Sequence, residues 1–140
     1  MLRVVLIVLT VAVAGSAAFL LLRGPGRPPI CTTDEVLQAP SGHDLQLCDV
    51  AFEEQPSGEA WVIVRVLDAA LGDATRAGHG DHDWACETWG LPAMDKEPRP
   101  TRIIVQIMAE PFVRGEPAPG ITQSIEAYSE ESATCMWELL

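Results

Sequence analysis

The feature that most constrains this chain is a run of nineteen residues, 4–22, that carries no charge and is interrupted only by Thr10, Gly15 and Ser16. At 1.5 Å per residue such a run forms about 28 Å of helix, close to the thickness of the hydrocarbon layer of a bilayer. It has no polar face, which argues against a buried helix of a soluble domain. Arg3 precedes the run, and Arg23, Gly24, Pro25, Gly26, Arg27, Pro28 and Pro29 follow it. Proline and glycine at this density cannot continue a helix, so the helix is expected to stop near Arg23. Ala12-Val13-Ala14 and Ser16-Ala17-Ala18 have the small residues that a signal peptidase needs. Cleavage at either would leave Phe19-Leu20-Leu21-Leu22 as an exposed apolar tail, which favours an uncleaved anchor over a signal peptide. Cys31 is not read as a lipid-modified cysteine, because Pro29 and Ile30 stand where that signal needs small side chains.

The flanking charges do not orient the segment, since Arg3 and the amino group on one side are matched by Arg23 and Arg27 on the other. The cysteines decide instead. Cys31, Cys48, Cys86 and Cys135 all follow the apolar run, and an even number in a small domain beyond an export segment points to disulfides in an oxidising compartment. The expected organisation is a signal anchor or signal peptide over residues 1–23, a linker over 24–38 and an extracytoplasmic domain over 39–140. The expected location is the inner membrane, single-pass through residues 4–22 with a periplasmic domain, or the periplasm if the segment is cleaved. Of nine basic residues three flank the apolar run, leaving six against twenty acidic ones beyond it. Such a field repels phosphate backbones, so no nucleic-acid partner is expected.

Within the domain, β-branched residues and turn signals place strands at about 45–52, 61–67, 102–108, 125–128 and 135–139. The first two are expected to pair as a hairpin across Pro56-Ser57-Gly58, and the third, apolar on both faces, to be central. A polar turn at 129–134 separates the last two. Residues 68–80 read as loop. Asp81 is expected to cap a helix over about 82–89 that ends at Gly90-Leu91-Pro92, with Ala85, Cys86 and Trp89 on one face. This order gives an α+β fold, an antiparallel-rich sheet of about five strands with one helix packed across it and an N-terminal transmembrane or signal helix before it. A Cys86–Cys135 bridge would fasten the helix to the last strand, and a loop of that length would stabilise the fold by about 4 kcal/mol. Cys31 and Cys48 would then close a shorter loop, with the two other connectivities left open.

Several short motifs carry a resemblance: Pro40-Ser41-Gly42 before a strand, a helix ending in Cys86 and Trp89-Gly90-Leu91-Pro92, Arg102-Ile103-Ile104-Val105, Thr122-Gln123 with Glu126-Ala127-Tyr128, and Cys135-Met136-Trp137-Glu138. Together they resemble a family of small exported alphaproteobacterial proteins of unknown function, over roughly residues 39–140. The resemblance implies an extracytoplasmic location and the Cys86–Cys135 bridge, and transfers no activity. Cys31 and Cys48 look like additions to the pattern, which supports their pairing with each other.

One cluster invites a chemical reading. His79, Asp81, His82 and Asp83 place two imidazoles and two carboxylates within five residues, ligand types suited to a divalent metal. Its spacing matches no recognised site, and His79 in a Gly-flanked loop with Asp81 engaged as a cap reads more simply as a polar helix start. Ser41-Gly42-His43-Asp44 holds the residue types of a hydrolase triad, but sequence neighbours do not converge as that mechanism needs, so it reads as a turn. No phosphate loop, nucleophile elbow or C-x-x-C is present, and no catalytic residue and no cofactor is assigned. Trp61 and Trp137 are expected in the core, whereas Trp84 and Trp89, five apart on the helix, cannot both face fully inward. The function expected is a non-catalytic binding or structural module. The alternatives are a metal-dependent binder or hydrolase using His79 to Asp83, and a subunit of an envelope complex with an exposed tryptophan at the contact.

Overall fold

Valine and isoleucine alternate along two stretches that end up side by side. In the computed structural model, which describes residues 30–72 and 78–139, six strands form one mixed sheet in sequence order, β1 (Val36–Gln38), β2 (Asp44–Glu54), β3 (Ala60–Leu67), β4 (Arg102–Met108), β5 (Gln123–Glu131) and β6 (Thr134–Glu138). The sheet curls as a half-barrel. β3 and β4 pair in parallel, and every other neighbouring pair is antiparallel. The parallel pair requires a crossover, supplied by one helical segment: α1 (His79–Ala85), a π-helical turn (Cys86–Gly90) and α2 (Leu91–Ala93). Val62, Val64 and Val66 of β3 and Ile103, Val105 and Ile107 of β4 face this segment and are buried against Ala85, Cys86 and Trp89. Ile63 and Ile104 fill the other face with Ala127. Burial on both faces is what a central strand demands, as expected for residues 102–108.

Trp84 near the end of α1 and Trp89 in the π-helical turn, five residues apart, meet edge-to-face with centroids 5.2 Å apart. Trp89 is buried and Trp84 half-buried. Gly90 ends this turn hard against β4. A Cβ there would stand 2.7 Å from Ile103 Cγ2, so only glycine permits the approach.

Disulfides join Cys31 to Cys48 and Cys86 to Cys135. Cys48 lies at a β-bulge: Leu47 pairs with Val66 and Asp49 with Arg65, so Cys48 is the extra residue. The bulge reverses the alternation of β2 and turns Asp49 toward the face of Arg65, whose Nη1 donates to Asp49 Oδ2 at 2.8 Å.

Four details differ from the sequence reading. A sixth strand, β1, lies inside the stretch read as linker. Its three exposed residues give no burial pattern to read. The β5–β6 turn is shorter than 129–134, with Ser132 and Ala133 both at positive φ as a two-residue hairpin connection requires. The helix starts at His79 with Gly78 as its N-cap, so Asp81 is not the cap but a buried residue of the first turn, and the helical segment does not stop at Gly90-Leu91-Pro92 but runs on to Ala93, because proline is tolerated in the first turn of a helix. Trp137 is not core: it stands on the edge strand β6 with half its surface exposed, 50%. The expected helix of residues 4–22 and the start of the linker lie outside the described residues. Among the described residues, no helix is long and apolar enough to cross a membrane.

Candidate functional site

The early start of α1 divides the His79 to Asp83 cluster. Residues four apart share a helix face and residues two apart do not, so His79 and Asp83 go one way and Asp81 another. His82 goes inward. It is fully buried, its Nδ1 lies 3.1 Å from the Gly78 carbonyl, and its Nε2 has no hydrogen-bond partner.

Asp81 meets two residues from distant parts of the chain. His43 stands at the start of β2, after a turn closed by hydrogen bonds from Ala39 N–H to His43 O at 2.8 Å and from Gly42 N–H to Ala39 O at 2.9 Å. Gly42 takes φ +90°, a conformation open to glycine at no steric cost. Asp68 follows β3, where its N–H donates to Met108 O at 3.0 Å and its Oδ1 accepts from Ala70 N–H at 2.9 Å. His43 Nδ1 lies 2.9 Å from Asp68 Oδ2 and 3.4 Å from Asp81 Oδ2. Both carboxylates are buried, at 1% and 3% side-chain exposure, while the imidazole is 42% exposed. Asp81 Oδ1 has no hydrogen-bond partner. Asp81 also lines a cavity of about 330 Å³ with Pro40, Ser41, Gly78 and Gly80. Pro40-Ser41-Gly42 is thus the turn expected, but His43 finds its carboxylate partner in Asp68 rather than in the adjacent Asp44.

On the opposite side of α1, His79 Nδ1 lies 2.6 Å from Glu126 Oε2 of β5, and its Nε2 lies 3.4 Å from Asp83 Oδ2. The Tyr128 hydroxyl donates to the same Glu126 oxygen at 2.8 Å. The His79 ring packs edge-on to Trp137, with centroids 5.6 Å apart. The hydrogen bond to Glu126 holds the His79 imidazole above its usual pKa, desolvation opposes it, and the charges of Glu126 and Asp83 add smaller upward pushes. Burial, then hydrogen bonding to Glu126 and Asp83, pushes the Tyr128 phenol well up.

Each group, His43 with Asp68 and Asp81 and His79 with Asp83 and Glu126, brings an imidazole nitrogen and two carboxylate oxygens within 4.8 Å of one another. Sequence reasoning missed His43, Asp68 and Glu126 as members. The signal available for Asp68 was an acid immediately after an apolar strand, in the loop that leads to the helix.

The face of the sheet away from the helix carries no comparable cluster among the described residues. A groove of about 270 Å³ there is lined by Trp61, Ile63, Ile104 and Ile125, with Glu53 and Arg114 paired at its rim. Beside it, buried Arg65 is held by Asp49, by Gln106 Oε1 at 3.3 Å and by the Phe112 carbonyl.

No curated protein and no solved structure matches the chain. A family model described as "Family of unknown function (DUF6497)" matches residues 26–140, which include both disulfides, all six strands and both clusters. The chain belongs to that family.

Proposed function

We propose that this protein is a non-catalytic binding module displayed outside the cytoplasm, held at the periplasmic face of the inner membrane by residues 4–22. The observation that carries the reading is the pair of disulfides, because such bonds persist in oxidising compartments and are rare in the cytosol. The acidic surface keeps the domain soluble. The side chains gathered around the start of α1 are ligand types, imidazole and carboxylate. The test is alkylation of intact cells followed by membrane fractionation and intact mass. The expected result is membrane-bound protein, four hydrogens lighter than the reduced chain, with residues 4–22 retained. Four free thiols in a soluble fraction would sink the proposal.

A second reading, a subunit of an envelope assembly, is favoured by β6. It is an edge strand on which Trp137, Met136 and the adjoining Leu139 are exposed, and an open edge beside apolar side chains is a surface for strand addition. A photo-crosslinking residue at position 137 is expected to capture one defined envelope protein. A smear or no adduct counts against this reading.

A further inference from the structure

The strongest unexplained feature of the molecule is electrostatic. Asp68 and Asp81 bring two buried carboxylates to one site, and the one cationic group within reach among the described residues, His43, supplies at most a single positive charge. Like charges held this close are costly in a low-dielectric interior unless a cation stands between them. One of the four carboxylate oxygens, Asp81 Oδ1, also lacks any hydrogen-bond partner, in a side chain that is 97% buried.

We propose that His43, Asp68 and Asp81 bind one divalent transition cation of the zinc or manganese class, through His43 Nδ1 and an oxygen of each carboxylate. The separations fit. Ligand atoms bonded at ~2.1 Å stand ~3.0 Å apart at octahedral right angles and ~3.4 Å apart in a tetrahedron, against 2.9 and 3.4 Å from His43 Nδ1 to the two aspartates. The donors are held in place before any ion arrives: the Ala39–Gly42 turn fixes His43, and the Ala70 N–H fixes Asp68 by its Oδ1, leaving Oδ2 to face inward. One nitrogen with two oxygens selects the zinc–manganese range, since imidazole disfavours calcium and magnesium while the absence of sulfur disfavours cuprous copper. Three protein ligands leave coordination positions vacant, and the adjoining cavity beside Asp81 gives an external ligand access to them. The second cluster is the poorer host, because Glu126 Oε2 is already shared by His79 and Tyr128. The inference is independent of where the protein resides.

The full-length protein in detergent, stripped with chelator, is titrated with Zn²⁺ by calorimetry and with Mn²⁺ by the loss of the free-ion electron paramagnetic resonance signal. One equivalent of at least one of the two ions is expected to bind and to raise Tm. Asp81→Asn and His43→Gln are expected to weaken that binding by at least ~100-fold, while His79→Gln and Asp83→Asn leave it within a few-fold. Metal-free Asp81→Asn is expected to melt no lower than metal-free wild type, since it removes a repulsion; a merely structural aspartate would melt lower. His43→Gln, on a half-exposed turn, keeps the test usable if Asp81→Asn does not fold. No binding of either ion by wild type, binding that survives both site variants, or binding lost with His79 or Asp83 would each overturn the proposal.

Discussion

His43 with Asp68 and Asp81 on one side of α1, and His79 with Asp83 and Glu126 on the other, each combine one imidazole with two carboxylates. They differ in burial. In the first, two carboxylates lie inside the protein with one imidazole at the mouth; in the second, His79 is 53% exposed and Asp83 44%. Water screens the second, so its ion pairs contribute little and respond to pH and salt. The first has little water to screen it, and the same charges there require a partner. Ligand composition alone therefore does not distinguish a binding site from a solvated surface; solvent access does.

The largest expected effect tests what the clusters share. Replacing both Cys86 and Cys135 by alanine frees the helical segment from β6, and should lower stability by about 4 kcal/mol in urea unfolding, given the separation of 49 residues. Both clusters hang on α1, so histidine NMR signals from both should broaden together; if one stays sharp, they are mechanically separate. Next comes the contrast itself. With chelator present, His43→Ala strands two buried carboxylates and should cost about 2 kcal/mol, whereas His79→Ala should stay within about 0.5 kcal/mol. Equal costs by thermal melting would erase the distinction between the sites. Tyr128→Phe removes one buried hydroxyl donor to Glu126 and should cost about 1 kcal/mol, read by the same melts.

The smallest effect concerns pH. The folded protein holds His79 above its unfolded value of 6.5, chiefly through the hydrogen bond to Glu126. A raised imidazole contributes stability that is fully present below 6.5 and is lost as pH climbs through the higher folded value. The amount should not exceed about 0.5 kcal/mol at so exposed a site. An NMR titration of His79 should show the upward displacement and Glu126→Gln should abolish it; an unchanged midpoint in that variant would assign the shift to another group.

The central strands were legible because Trp61-Val62-Ile63-Val64 and Arg102-Ile103-Ile104-Val105 are too β-branched to read otherwise. Their parallel pairing was implied once a helix stood between them, yet counting strands alone did not bring it out. β1 was hidden because three exposed residues carry no periodicity. The candidate site was half visible. His79 and Asp81 were seen, but as neighbours, whereas the fold pairs them with residues 47 and 38 positions away. Reading Asp81 as a cap concealed its burial: Gly78, with no side chain to announce it, already fills that place. Trp137 misled in the opposite direction, since alternation marks the face a residue joins but not how far the covering helix extends across it.

The Cys31–Cys48 bond has a mechanical consequence. Any pull on the chain ahead of Cys31 passes through the sulfurs and enters the fold at Cys48 of β2, bypassing residues 32–47. β1, three residues long and the easiest strand to unzip, carries no load. Force arrives instead on a strand that is paired with β3 from Gln46 to Glu54, so the load falls on the longest ladder of the sheet rather than on its shortest strand.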